Sequence, residues 1–247
     1  MDFDLAHTEQ QHVYDLLCGL VAPRPIAWIT SIDPSGKIDA APFSAYNYVG
    51  TDPPIIAIGI GDKPGPGALA KKTALNIRSA GEFVINVVNA AGADAMNLTA
   101  IDFPPEIDKL DVAKLKTEAS LLVKVPRIAS APASLECREI TTLQIGHNRI
   151  VLAQVVAIHI KDEFIDAAGP FVRADALHAI GRMNGLGAYI RTAGAFFDIP
   201  RLDYPAWKAI YERLDPGPAN QKTLGLVMKN HARQASSPVS AARRSDP

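Results

Sequence analysis

Pro25-Ile-Ala-Trp-Ile-Thr-Ser-Ile32, then Asp33-Pro-Ser-Gly36, then Lys37-Ile-Asp-Ala-Ala-Pro-Phe43 stand in succession near the N-terminus, and the stretch runs on through Ser44-Ala-Tyr-Asn-Tyr-Val49. β-Branched and aromatic residues on both sides of an Asp-Pro-Ser-Gly turn cluster are what an antiparallel hairpin requires. Outward from this hairpin, Ile55 to Ile60 is a continuous apolar run between Pro53-Pro54 and a Gly61 to Gly67 loop, the pattern of a buried strand. A helix is predicted over Ala68 to Ala80, where Ala70, Ala74 and Ile77 share one face and Gly81 supplies the stop. Phe83 to Val88 reads as a strand and Ala90 to Ala100 as a helix, while Asp102 to Val125 is a mixed, Pro-interrupted connection. Ser134 to Ile145 and Ile150 to Lys161, joined by Gly146-His-Asn-Arg149, form the longest predicted hairpin, and Gly187 to Ile199 is one further extended stretch. Strands that arrive as hairpins, not as strand-helix-strand crossovers, predict a mainly β fold, an antiparallel barrel or sandwich with peripheral helices.

Composition narrows the function. The 247 residues are 48% hydrophobic and 21% charged, enough chain for one large domain or two small ones with a substantial core. Lys and Arg number 25 against 26 Asp and Glu, so no global basic field favours nucleic acid or an anionic membrane. No secretory leader pattern and no run of 18 apolar residues occurs, and the expected location is the cytoplasm. Cys18 and Cys137 lie far apart without a Cys-x-x-Cys pair, and the six His show no metal-ligand spacing, so neither a disulfide framework nor a bound metal is expected. Gly59-Ile-Gly61-Asp-Lys-Pro64 fails as a dinucleotide fingerprint because Pro64 stands at the third glycine position. P-loop and nucleophile-elbow motifs are absent.

Three clusters remain. Ala41-Pro-Phe-Ser-Ala-Tyr-Asn47 ends a strand with a hydroxyl, an amide and aromatics, the composition of a turn or of a ligand site. Lys71, Thr73 and Asn76 at the start of a helix bring together an ammonium, a hydroxyl and an amide that suit a phosphate, or else form a solvated basic face. Gly181-Arg-Met-Asn-Gly-Leu-Gly-Ala-Tyr-Ile-Arg191 combines glycines with planar cationic and aromatic groups, as a binding loop or an ion-paired one. Further on, Trp207, Ile210, Tyr211 and Leu214 form an apolar stripe on a short helix over Ala206 to Leu214, and from Lys229 the chain is a basic, apolar-poor tail expected to be disordered.

The order Pro23-Arg-Pro-Ile-Ala-Trp-Ile-Thr30, Ala41-Pro-Phe-Ser44 with Asn47, Asp52-Pro-Pro54, Lys71-x-Thr73 with Asn76, Gly81-Glu-Phe-Val-Ile-Asn86, Ala95-Met-Asn97, Leu135-Glu-Cys-Arg138 and Gly181-Arg182 before Tyr189-x-Arg-Thr192 resembles the flavin-reductase-like family of FMN-binding split-barrel proteins. The resemblance spans about residues 12–202. It implies an antiparallel split β-barrel over 1–202; the apolar stripe and the composition then give an appended helical segment, 203–228, and the tail, 229–247. It also implies a homodimer with FMN at or near the subunit interface and NAD(P)H as electron donor. By the same resemblance, Ala27, Trp28, Ile29, Thr30, Phe43, Ser44 and Asn47 belong to the isoalloxazine side. Lys71, Thr73 and Asn76 belong to the phosphate end, and Arg182 and Tyr189 to the pocket wall. Lys72 stands where the family usually has Asp, and Asp108-Lys-Leu110 where relatives often have Asp-Glu-Phe. The activity implied is NAD(P)H-dependent FMN reduction, with reduced flavin or electrons passed to a partner monooxygenase. The alternatives are a flavoenzyme acting directly on a small organic substrate and a non-catalytic electron carrier. Hydride chemistry belongs to the cofactor, so no residue is singled out as catalytic; His147, His159 and His178 read as structural histidines.

Overall fold

The structure is a computed structural model that describes residues 1–63, 69–169, 171–185, 187–197, 199 and 203–213. The elements run α1 (Gln10–Leu20), β1 (Ala27–Ile32), β2 (Ile38–Phe43), β3 (Tyr46–Thr51), β4 (Pro54–Gly61), α2 (Lys72–Ala80), β5 (Glu82–Asn86), α3 (Ala93–Thr99), α4 (Lys109–Val112), β6 (Thr117–Glu118), β7 (Arg127–Ile128), β8 (Ala133–Ile145), β9 (Asn148–Ile160), β10 (Ile180–Arg182), β11 (Tyr189–Arg191) and α5 (Tyr204–Arg213). The chain divides into two compact units, one of residues Met1–Gly194 and a second that begins at Ala195 and contains α5.

Seven strands make one sheet in the order β2-β1-β5-β8-β9-β4-β3, every neighbouring pair antiparallel. The opening hairpin sets this arrangement: Ala27↔Phe43 through Ile32↔Ile38 are in register around the Asp33–Gly36 turn, where Asp33 Oδ1 accepts from the Ser35 hydroxyl and from the Ser35 and Lys37 amides. The two edge strands, β2 and β3, are neighbours in sequence, separated only by Ser44 and Ala45. A sheet whose first and last strands are tied by two residues has to curl. The Gly59 amide donates to the Ala45 carbonyl at 2.7 Å, and a Cβ on Gly59 would come within 3.0 Å of the Ala45 Cβ. Among the described residues no ladder joins β2 to β3, so the sheet curls without closing into a barrel.

Curling places Ala27, Ile29, Phe43, Ile56, Ile58, Ile60, Phe83, Ile85 and Val151 in one core with Ala74 and Ile77 of α2. Burying each large aliphatic side chain contributes roughly 1.5–3 kcal/mol. The other face of β1 is also covered. Trp28 packs with Met96 of α3 and donates from Nε1 to the Thr99 hydroxyl at 3.0 Å, and Thr30 donates to the Pro126 carbonyl at 2.7 Å. Hence β1 is buried on both faces, with its two polar residues, Thr30 and Ser31, buried along with the apolar ones.

Several boundaries differ from the sequence expectation. Helix α2 starts at Lys72, after an extended Lys71, and ends as predicted at Gly81 with φ +70° and its amide on the Ile77 carbonyl. The Ala90–Ala100 helix opens as a separate 3-10 turn, Ala90–Gly92, because the Asn89 side chain accepts from the Gly92 amide. The extended stretch expected over Gly187–Ile199 pairs only at β11, against β10; Gly187 and Gly194 adopt positive φ, which interrupts extension. In the Gly59 to Pro64 segment, Gly59 and Gly61 belong to β4 and pair with β9, while residues 64–68 lie outside the described residues. The Leu214 end of the Trp207 stripe and the tail from Lys229 also lie outside them. Helix α1 adds an element absent from the sequence expectation, although Val13, Leu16, Leu17 and Leu20 carry helical spacing. Among the described residues no helix is long and apolar enough to cross a membrane, and no cluster of His, Cys, Asp and Glu has the makings of a metal site.

Candidate functional site

The curl of the sheet brings the β2–β3 connection against the start of α2. Phe43 ends β2 with its ring nearly buried, and the Lys71 ammonium lies 5.7 Å from the ring centroid. Lys71 makes no ion pair with a described residue, and burial, against the opposing charge of Asp102 and with the like charges of Lys109 and Lys63, leaves its pKa below the ordinary lysine value. Thr73, in the first turn of α2, is only 2% exposed, yet its hydroxyl makes no hydrogen bond among the described residues. The first turn of α2 contains no acid and its N-cap side chain makes no capping bond. The amides of Lys72 and Thr73 precede the first amides that bond back to the Lys71 carbonyl, those of Ala74 and Leu75, so they lack helical partners. Two amides without helical partners, a hydroxyl that bonds to no described residue and a cation without an acid suit a phosphate-sized dianion.

The surrounding charges are paired off. Lys72 lies 3.4 Å from Asp33, Lys63 2.7 Å from Asp102, and Lys109 3.6 Å from Asp39. The Ser35 hydroxyl, with the Lys37 and Ser35 amides and Lys72, holds Asp33 down at about 2 despite some opposing desolvation. Lys72 is therefore taken up by the β1–β2 turn.

A second cluster forms on the far side of Ser44. The Arg24 guanidinium, in a residue 8% exposed, donates from Nε to the Ser44 hydroxyl at 3.5 Å, from Nη1 to the Cys18 and Val21 carbonyls at 2.5 and 2.9 Å, and from Nη2 to the Asn184 carbonyl at 3.4 Å. Arg24 and Arg182 exchange main-chain hydrogen bonds, both 2.9 Å. Arg182 in turn donates to the Asn184 and Gly185 carbonyls and to the Tyr189 hydroxyl at 2.6 Å, with its guanidinium 4.8 Å from the Tyr189 ring centroid. Arg24 was not among the residues expected at the site, although a signal was present: it is the one charged residue between Asp15 and Asp33.

The expected site residues thus fall into distinct places. Phe43, Lys71 and Thr73 meet at the α2 N-terminus, while Ser44, Arg182 and Tyr189 are joined through Arg24. Ala27, Trp28, Ile29 and Thr30 are 0–1% exposed within the ladder between β2 and β5, so their side chains serve the core. Asn76 is 3% exposed and its amide donates to the Ser31 hydroxyl at 3.0 Å. Asn47 is exposed on β3, accepts from the Tyr48 amide, and lines an apolar groove of about 350 Å³ with Pro25, Tyr48, Ile55, Leu135 and Ile158. Among the histidines, His159 Nε2 lies 2.5 Å from buried Glu136, His147 is 3.6 Å from Asp62, and His178 gives its carbonyl to the Ala90 amide.

Comparison with known proteins gives a consistent answer. The Flavin reductase like domain matches residues 20–183. Among solved structures, nitrilotriacetate monooxygenase component B from Bacillus cereus is 27% identical with a TM-score of 0.74, covering 80% of this chain and 98% of its own. The 2-nitrobenzoate 2-nitroreductase of Pseudomonas fluorescens is 32% identical with a TM-score of 0.72, covering 84% and 98%. A split-barrel-domain protein of Shewanella frigidimarina, 18% identical at a TM-score of 0.67 over 83% and 99%, shares the fold. The chain belongs to the flavin-reductase-like family.

Proposed function

We propose that this member of the flavin-reductase-like family is an NAD(P)H-dependent FMN reductase that hands reduced flavin or electrons to a partner monooxygenase. The observation that carries the reading is Thr73 at the α2 N-terminus, a residue 2% exposed whose hydroxyl makes no hydrogen bond among the described residues, beside Lys71 and the Phe43 ring. These groups fit the phosphate of FMN: Thr73 and the first two amides of α2 donate to it and Lys71 balances its charge. Ser44, Arg24, Arg182 and Tyr189 would hold the ring. When bound, the flavin supplies hydride acceptance; the chain's part is to bind, orient and bias charge. The likeness to a protein named as component B of a monooxygenase supports delivery to a partner.

Steady-state oxidation of NADH and NADPH, with and without added FMN, tests this. Turnover that scales with added FMN is the expected result, and a tightly bound yellow flavin that neither nucleotide bleaches overturns it. The likeness to a 2-nitrobenzoate nitroreductase favours a second reading, direct action on a small organic substrate. That reading predicts consumption of a nitroaromatic carboxylate by the purified protein and NAD(P)H alone.

A homodimer completes the proposal. The groove beside edge strand β3 is lined by Tyr48, 69% exposed, and Ile158, 61% exposed, and Val49 at the β3 bulge is 60% exposed, apolar surface at the end of a ladder that a second copy would cover. Val49→Arg is expected to convert the dimer to monomer in size-exclusion chromatography with light scattering. Truncation after Ile199 tests the Trp207 stripe in the same way.

A further inference from the structure

Arg24 and Arg182 are two guanidinium groups bridged through their own main chain, and neither makes an ion pair with a described residue. Every acceptor on them is neutral: carbonyls of Cys18, Val21, Asn184 and Gly185, and the hydroxyls of Ser44 and Tyr189. Asp15 is near, since a Cβ on Gly185 would come within 3.0 Å of its Oδ1, but it makes no ion pair with either guanidinium. A buried cation usually has a carboxylate partner, because leaving it without one costs several kcal/mol. Arg24, 8% exposed, is held by carbonyls that orient it and leave its net charge in place. Its Nε–H points at the Ser44 oxygen, so the Ser44 proton is directed to some other acceptor, and a hydroxyl that accepts from a cation is a stronger donor.

We propose that Arg24, with Arg182 behind it, is a charge-supplying and positioning residue that acts through Ser44 to stabilise negative charge on the redox-active ring of bound flavin. The inference rests on the flavin reading above. Hydride from a reduced pyridine nucleotide brings two electrons and one proton; the nucleotide leaves oxidised, and the ring gains one negative charge unless solvent supplies a second proton. A pair of cations without acids favours the charged, reduced ligand over the neutral oxidised one. This differs from the α2 site, whose lysine and hydroxyl meet a phosphate that is anionic in both redox states.

The test is the reduction potential of the full-length protein–FMN complex, measured anaerobically against a reference dye, alongside the affinity for oxidised FMN and the melting temperature. Arg24→Gln is expected to lower the preference for reduced over oxidised FMN about tenfold, about 30 mV for a two-electron couple. Oxidised FMN then binds within about threefold of wild type, because the ring is neutral in that state. Arg24→Lys keeps the charge and is expected to move the potential less than half as far. Should Arg24→Gln fail to fold, the less buried Arg182→Gln carries the same test with the same sign. An unchanged potential, or equal shifts from the Gln and Lys variants, overturns the inference and leaves the flavin site standing. FMN that fails to bind wild type overturns the flavin reading and this inference with it.

Discussion

Glu136→Ala is expected to destabilise the protein by about 3–5 kcal/mol, the range for removing one partner of a buried charged network. Glu136 is 0% exposed on β8, and its carboxylate accepts from the Leu121, Leu122 and Val123 amides at 2.5, 2.7 and 3.1 Å and from His159 Nε2 at 2.5 Å. Without it, three amides lose the one acceptor that holds the 121–123 segment to the sheet, and the Val84, Val123 and Val125 cluster beneath loses its cover. At roughly 2–4 °C per kcal/mol for a unit of this size, the loss amounts to a fall of roughly 6–20 °C in Tm. Burial pushes the Glu136 carboxyl up, but the Leu121 amide, His159 and the Leu122 amide together bring it below the ordinary glutamate value. A carboxyl whose folded pKa is depressed contributes stability above its unfolded pKa and loses it as pH falls through the folded one. The Tm difference between wild type and Glu136→Gln is therefore expected to be full at pH 7 and to shrink below about pH 4. A difference that does not vary with pH would assign the effect to shape instead of charge.

Glu136 stood in the sequence only within Leu135-Glu-Cys-Arg138, and its partners were not legible for a physical reason. Glu136 sits in a strand whose alternation is broken by a register shift between Glu136 and Cys137, and its partners are main-chain amides of a segment with no periodicity. Backbone donors carry no signature in residue type. The first hairpin was legible because turn chemistry and side-chain preference agree at Ile26 to Phe43, and α2 because its apolar face and Gly81 agree. The lack of closure between β2 and β3 was not legible, since strand patterns say which segments are extended and not which edges pair. In the proposed site, Lys71 and Thr73 were legible because a hydroxyl and a cation two residues apart at a helix start leave a pattern. Asn76 shares that pattern but spends its amide on Ser31 of β1, a tertiary contact. Arg24 escaped because it was read as part of a motif, when a lone charge in an apolar stretch is itself a signal that something neutral holds it or something anionic meets it.

The second large effect lies at the α2 N-terminus. Thr73→Ala is expected to weaken FMN binding roughly 10- to 100-fold, the loss of a charge-assisted hydrogen bond of about 1.5–3 kcal/mol. The side chain is 2% exposed, so its hydroxyl is already oriented and little ordering entropy is spent on binding. Lys72→Ala serves as the contrast. Its ammonium lies 3.4 Å from Asp33 and is 42% exposed, so its field at a phosphate is both neutralised and screened, and a change within about threefold is expected. Lys71→Ala falls between the two, since its charge has no acid to cancel it and Phe43 holds the side chain in place. Flavin fluorescence titration at two salt concentrations separates the contributions: the Thr73 effect persists at high salt, whereas the Lys71 effect shrinks. Equal losses for Thr73→Ala and Lys72→Ala would mean that the phosphate meets the outer basic face of α2 and not its first turn. The ring would then no longer be held at Ser44, and Arg24 would have no bound charge to act on.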